Sequence, residues 1–246
     1  MKVTEKSFAL LLFDADDTLF DFHKAMCESL AKTLAEQNIR CTEELIAQYD
    51  AINQQYWRRY EAGEVTKQQM QRGRFADFLA SCGIECEPER FDARYLGHLG
   101  DCPYLYDGAK ELCEDLSRVY RLAIVTNGIS SMQRRRMDNS AIAGYFEEIF
   151  ISEDTGFKKP EKGFFYYVFS RYPEVPLDKI LIIGDSLGSD IKGGIDAGIA
   201  TCWMNTRHEP PNDALKPTYI CEDFSALRTL LLQNTGGNHA DSIQTV

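Results

Sequence analysis

Two aspartates, Asp14 and Asp16, stand directly behind the apolar stretch Phe8–Leu12, in the run Phe13-Asp14-Ala15-Asp16-Asp17-Thr18-Leu19. Carboxylates are depleted from strands, so two of them at the exit of a buried strand come at a cost. Extended chain has a side-chain period of two and puts both on one side. Two anions on one face repel unless a cation or a shared proton separates them. The economical reading is a magnesium site with one carboxylate free to act as nucleophile. The segment also reads, on its own, as a strand ending in an acidic turn that caps the next helix.

Short apolar runs rich in β-branched residues recur at Phe8–Phe13, Leu122–Thr126, Ile149–Ser152, Ile180–Gly184 and Ala200–Met204, with a weaker one at Thr218–Cys221. Each is followed by polar loop residues and a helical pattern. Continuous hydrophobic strands alternating with helices predict an α/β chain, a Rossmann-like, doubly wound and mostly parallel sheet covered on both faces. The alternation breaks once, between Phe20 and about Pro103, where only helical periodicity is found. There Leu45, Tyr49, Ile52, Tyr56 and Tyr60 form one stripe of an amphipathic helix. A second helical stretch runs from about Thr66 to Cys82 and stops at Gly83, a residue suited to a helix C-terminus. The expected organisation is a core over 1–20 and 103–235, a helical-bundle cap over 21–102 inserted after the first strand, and a flexible tail over 236–246.

The formal net charge of −11 argues against a nucleic-acid surface, which needs a basic field. An acidic chain can still bind a small phosphate ester where local donors and a metal supply positive charge. Eight cysteines are scattered without a C-x-x-C pair, and none of the four histidines is spaced from another like a metal ligand. A structural zinc site is therefore not expected. The apolar run near the start ends in aspartates, unlike a signal peptide, and nothing approaches the roughly 20 apolar residues that span a bilayer. A reduced, cytoplasmic protein with no membrane partner is expected.

Three further polar clusters sit at strand ends. Thr126, Asn127 and Gly128 follow the second strand and open a helical pattern, where a hydroxyl, an amide and unpaired N–H groups make a phosphate cradle or an ordinary helix cap. In Gly156-Phe157-Lys158-Lys159-Pro160, the lysine before proline is held extended and can project a fixed ammonium, or lie in a solvated turn. In Gly184-Asp185-Ser186-Leu187-Gly188-Ser189-Asp190 an acidic residue again ends a buried strand, with a second carboxylate five positions on. That pair reads equally as a cap and its helix-dipole partner. In a parallel sheet all these ends lie on one edge, the edge where open α/β folds bind ligands. The basic run Arg134-Arg135-Arg136 reads as a solvated helix face.

Taken in order, DADDT, TNG, KKP and GDSLGSD resemble the four motifs of the haloacid dehalogenase (HAD) superfamily of phosphohydrolases. The helical insertion resembles that superfamily's small four-helix cap. The resemblance implies a magnesium-dependent phosphomonoesterase in which Asp14 is the nucleophile that forms an aspartyl-phosphate. Asp16 would be the acid for the leaving oxygen and then the base for water. Thr126, Asn127 and Gly128 would hold phosphoryl oxygens, and Lys159 would neutralise charge between phosphate and nucleophile. Magnesium would be held by Asp14, the backbone carbonyl of Asp16 and Asp185, with Asp190 orienting the outer shell. Asp16 also favours phosphate esters over the dehalogenation that names the superfamily, since dehalogenases lack an aspartate there. Asp17 stands where many relatives carry glycine.

The stretches Tyr56–Glu61, Leu181–Leu187 and Asp190–Gly198 look most similar to the pyrimidine 5′-nucleotidase branch, which implies a nucleoside monophosphate as the small-molecule substrate. Tyr56, Trp57, Tyr60 and Phe75 could stack on a base and Arg58, Arg59, Arg72 or Arg74 reach its polar edge, although Tyr56 and Tyr60 lie on the stripe expected to fill the cap's own core. Phe20, Phe22 and His23, just past the nucleophile, are expected to line the entrance. A sugar-phosphate phosphatase or phosphomutase would share every core residue. A phospho-accepting receiver domain also uses an acidic pair, a threonine and a lysine, but is about half this length and has no helical insertion.

Overall fold

In a computed structural model of the chain, residues 8–210, 214–233 and 244–245 are described. Six parallel strands form the sheet: β1 (Leu10–Phe13), β2 (Arg121–Thr126), β3 (Glu148–Ile151), β4 (Ile180–Gly184), β5 (Ala200–Met204) and β6 (Tyr219–Cys221). A two-residue β7 (Gln244–Thr245) pairs antiparallel to β6. The spatial order is β3-β2-β1-β4-β5-β6-β7, so the chain winds outward both ways from β1. The crevice between β1 and β4 is where such sheets bind ligands. Most of the expected tail lies outside the described residues. The exception is β7, which pairs with the sheet where a frayed end was expected.

The period-two alternation of β1 divides the core. Leu11 and Phe13 pack on one face with Leu112, Cys113 and Leu116 of α5 (Ala109–Ser117) and Leu227 of α10 (Phe224–Arg228). Leu10 and Leu12 pack on the other with Phe164, Phe165 and Val168 of α8 (Lys162–Ser170) and Ala197 of α9 (Lys192–Ala197). Both faces are covered, which is why the strands read as unbroken apolar runs. Two further helices, α6 (Ser130–Asp138) and α7 (Ser152–Thr155), begin at the ends of β2 and β3. All eight cysteines are free, and among the described residues no helix is long and apolar enough to cross a membrane.

The stretch without strands holds four helices, α1 (Phe22–Ala35), α2 (Glu43–Glu61), α3 (Lys67–Cys82) and α4 (Pro88–Gly100). Their ends follow from the sequence. Thr66 and Gln69 form a reciprocal capping box at the start of α3, and Gly83 closes it at φ +63°. Pro88 opens α4. Tyr49, Phe75, Phe78, Phe91 and Tyr95 form the insertion's aromatic core, with Tyr49 stacked on Phe75 at 5.1 Å between ring centres. Ile129 and Met132, at the start of α6, join the same apolar cluster, so the insertion sits on the sheet's ligand-binding edge.

The expected aromatic stripe is only partly internal. Tyr56 lies against Gly73 of α3, where any side chain would collide with its ring, and donates to Asp77 Oδ2 at 2.8 Å. Tyr60 leaves the insertion core altogether and lies beneath the ammonium groups of Lys67 and Lys158. The helix outlasts the bundle it packs in, and its last turn faces the other half of the molecule.

Candidate active site

The in-register pairing of β1 with β2 and β4 brings Phe13 level with Ile124 and Ile183. Asp14, Thr126 and Asp185 therefore leave the sheet side by side. Lys159 reaches them from the loop before α8. Its ammonium is buried and donates to Asp14 Oδ1 at 2.5 Å, Asp190 Oδ1 at 2.6 Å and the Val125 carbonyl at 2.7 Å. All three ammonium donors are used. Burial works against the charge on Lys159, but the two carboxylates outweigh it and raise its pKa above the usual lysine range. Burial pushes the Asp14 carboxyl up to about 7, against the pull of Lys159 and with the help of Asp190. Asp185 is also raised well above the carboxylate range, by burial first and then by Asp14 and Asp190.

One carboxylate oxygen from each of Asp14, Asp185 and Asp190 lies within 4.8 Å of the others. Hard oxygen donors crowded in this way, each disfavouring the others' charge, suit magnesium or calcium. Asp190 is already engaged: Oδ1 takes Lys159 and Oδ2 accepts from the Ser186 N–H at 3.1 Å. Gly184 makes that possible, because a Cβ there would lie 2.2 Å from Asp190 Oδ2. The Asp185 main chain is pinned from both sides, its N–H donating to Thr18 Oγ1 at 3.1 Å and its carbonyl accepting from Trp203 Nε1 at 2.8 Å.

Asn127 holds the lysine in place. Its amide accepts from the Lys159 N–H at 2.8 Å and donates to the Lys159 carbonyl at 2.9 Å. The carboxamide expected to hold a phosphoryl oxygen is thus committed to the backbone beside it. The Thr126 hydroxyl accepts from the Gly128 N–H at 3.0 Å and from Gln133 Nε2 at 3.2 Å.

Asp16 carries the largest surprise. It is held by α6, Oδ2 accepting from Gln133 Nε2 and Oδ1 from Arg136 Nη2, each at 2.5 Å. Arg136 is wholly buried and lies over the ring of Phe20 at 4.4 Å. The expectation of a solvated triple-arginine face therefore fails at its third member, whereas Arg134 and Arg135 do lie outside, paired with Asp154 and Asp101. Phe20, expected at the entrance, is buried under this guanidinium instead. A signal was present: Met132, Gln133, Arg136 and Met137 are the buried positions of α6, and their spacing is that of an inward stripe.

Asp17 adopts φ +58°, a left-handed conformation that glycine enters at little cost. Its carboxylate accepts from Arg207 at 2.9 Å and from Tyr106 at 3.3 Å.

A cavity of about 680 Å³ opens over these groups. Asp14, Asp16, Thr126, Asn127, Gly128, Lys159, Asp185 and Asp190 line its floor, and Phe22, His23, Asn53, Trp57, Arg58, Glu61 and Arg74 line its insertion side. Phe22, His23 and Trp57 are brought to the cavity as expected, and so are Arg58 and Arg74. Phe75 lies inside the insertion core, and Arg59 and Arg72 turn to Glu64 and Glu89. Arg74 is buried, donating to Asn53 Oδ1 at 2.9 Å and Asp92 Oδ1 at 2.8 Å. Asn53, Glu61 and Arg207 were not legible as site residues.

A family model described as haloacid dehalogenase-like hydrolase matches residues 8–198. YfnB of Bacillus subtilis (strain 168) is 41% identical over 231 residues, which is 94% of this chain and 98% of that protein. The crystal structure of its orthorhombic form, bound to magnesium and described as revealing interdomain movement, superposes with a TM-score of 0.88, covering 92% of this chain and 100% of that one. The pyrimidine 5′-nucleotidase YjjG of Escherichia coli (strain K12) is 30% identical over 224 residues, 91% of this chain and 98% of that protein. The pyrimidine 5′-nucleotidase PynA of Streptococcus pneumoniae is 32% identical over 228 residues, 92% of this chain and 96% of that protein.

Proposed function

The chain belongs to the haloacid dehalogenase-like hydrolases, and on that premise we propose that it is a magnesium-dependent phosphomonoesterase acting on pyrimidine nucleoside 5′-monophosphates. The observation that carries the reading is the convergence of Asp14, Lys159 and Thr126 on the floor of one cavity. Phosphoryl transfer needs a nucleophile in line, positive charge around the equatorial oxygens and a proton for the leaving group. Asp14 attacks phosphorus; the bond to the ester oxygen breaks, and that oxygen takes its electron pair and a proton from Asp16. Water then attacks the aspartyl-phosphate, gives its proton to Asp16, and releases inorganic phosphate and Asp14.

Lys159 neutralises the group in flight, and the Thr126 hydroxyl, which accepts from the Gly128 N–H and from Gln133 and keeps its own proton to donate, holds a phosphoryl oxygen. Asn127 contributes by fixing Lys159, since its amide is spent on that backbone. Magnesium would be held by Asp14, Asp185 and the Asp16 carbonyl, with Asp190 as orienting carboxylate, and when bound it supplies charge stabilisation at the phosphoryl oxygens. The helical insertion acts as the cap. Its wall offers Trp57 as a flat apolar face beside the polar Asn53, Arg58 and Arg74, a lining suited to a base with a hydrogen-bonding edge. The cavity falls in the range of small-molecule sites, about 300–1,000 Å³.

The test is a panel of UMP, dUMP and dTMP beside hexose phosphates, with magnesium and with chelator. Turnover of the nucleotides that chelator abolishes is expected. Rapid turnover of hexose phosphates with none of the nucleotides would reject the substrate class, and Asp14→Asn retaining substantial activity would reject the nucleophile.

A further inference from the structure

The buried guanidinium of Arg136 is used at only one of its nitrogens. Nη2 serves Asp16 and, at 2.8 Å, Gln133 Oε1, while Nε and Nη1 are buried with no hydrogen-bond partner among the described residues. Leaving charged donors unsatisfied away from water is costly, and the Phe20 face offsets that only in part. An aliphatic side chain would pack at the same place at lower cost, so the charge has another use. Arg136 is wholly buried, which keeps it from touching a substrate. It can act only through what it holds.

What it holds is Asp16, directly at Oδ1 and through Gln133 at Oδ2. A guanidinium has donors only, so it must face the carbonyl oxygen of the Gln133 amide. That turns Gln133 Nε2 toward Asp16 Oδ2 and the Thr126 hydroxyl. The two residues are one turn apart on α6 and close on the carboxylate as a pair. Gly128 leaves them room, since a Cβ there would lie 2.2 Å from Gln133 Nε2. Two donors on two oxygens is the complement of an ionised carboxylate, and Asp16 is ionised in one half of the reaction, when it awaits a proton from water.

We propose that Gln133 and Arg136 are positioning residues for the second half-reaction: they hold ionised Asp16 where it activates the water that hydrolyses the aspartyl-phosphate. This rests on the phosphatase reading above. In that step the water oxygen bonds to phosphorus, the phosphorus bond to Asp14 breaks with its electron pair returning to the carboxylate, and the water proton passes to Asp16.

The experiment uses p-nitrophenyl phosphate, whose leaving group departs without a proton, and the variants Arg136→Met and Gln133→Met. With the clamp removed, Asp14 should still be phosphorylated while its hydrolysis slows. The expected result is a burst of about one p-nitrophenolate per chain followed by a steady state slower by about 10²-fold, the scale of a displaced catalytic group. KM should fall alongside kcat, leaving kcat/KM within about threefold of wild type. Phosphoprotein trapped by acid quench should rise in step, and Arg136→Lys should recover part of the rate. Equal falls in kcat and kcat/KM without a burst, in whichever of the two methionine variants folds, would show a structural role and overturn the clamp. Unchanged kinetics would overturn it as well. A wild type silent towards every phosphomonoester would instead bring down the phosphatase reading, and the clamp with it.

Discussion

Lys67 Nζ donates to the backbone carbonyl of Asn127 at 2.8 Å, so a side chain of the helical insertion closes directly on the loop that follows β2. The same ammonium reaches the Gly128 carbonyl at 2.7 Å and Ser152 Oγ at 3.0 Å. Lys158 answers from the other side by donating to the Tyr60 carbonyl at the end of α2. Polar groups, each from one half onto the backbone of the other, dock the insertion at this point.

Lys67→Met should loosen that docking. It leaves the Gly128 carbonyl without its partner and the Asn127 carbonyl with only Ser152 Oγ at 3.3 Å, in a half-buried place, a loss of about 1–3 kcal/mol. KM for a nucleotide should rise several-fold, and solution scattering with magnesium and a phosphate analogue should show a more extended particle than wild type. An unchanged KM with an identical scattering curve would contradict the latch.

Lys159→Met should damage the fold as well as the chemistry. Asp14 and Asp190 would stay buried without their shared cation, and breaking a buried pair typically costs about 3–5 kcal/mol. Denaturant titration of the metal-free variant should register that loss, magnesium should restore part of it, and phosphatase activity should be absent. A variant as stable as wild type without metal would contradict the role of this ammonium as the site's internal counter-ion.

The raised carboxyls give a pH dependence with a definite sign. Asp14 moves from 3.8 to about 7 on folding, with burial the largest cause. Such a group contributes stability that is complete below its unfolded value and is lost as pH rises through about 7. Metal-free protein should therefore begin to lose this contribution to its melting temperature above about pH 4 and have lost nearly all of it by about pH 8. Magnesium favours the ionised form and competes with the proton, so the rise in Tm on adding it should be larger at pH 8 than at pH 5.5. An equal rise at both, measured by calorimetry, would contradict this account.

Trp57→Ala tests the base side of the cavity. Stacking of a base on an aromatic ring is worth about 1–3 kcal/mol by alanine substitution. On the nucleotidase reading, kcat/KM for UMP should fall by about 5- to 150-fold. Turnover of p-nitrophenyl phosphate, which has no base to stack, should change little. Equal losses on both substrates would remove Trp57 from substrate recognition.

The sheet was legible because buried parallel strands advertise themselves. Ile180–Gly184 and Ala200–Met204 were read to the residue, and the glycine that ends α3 was visible in its sequence. The polar residues at strand ends could be gathered on one edge from topology alone. What escaped were contacts decided by helix rotation and long-range packing. Arg134, Arg135 and Arg136 look alike in sequence, and only the direction each takes from α6 separates two surface pairs from a buried clamp. The aromatic stripe of α2 extended past the bundle, so Tyr60 went to the junction between the halves. Asn53 and Arg74 form a polar pair inside an apolar insertion, which no periodicity announces.

The two segments that join the insertion to the sheet lie hydrogen-bonded to each other. Asp21 N–H donates to the Tyr104 carbonyl at 2.9 Å and Tyr106 N–H to the Leu19 carbonyl at 3.0 Å, with Phe20 bridged to Leu105. The chain thus leaves and returns through a single narrow stalk, like a parenthesis in a sentence. On the reading proposed above, what the module encloses would choose the substrate, while the groups assigned to the chemistry stay outside the brackets, on the strand ends.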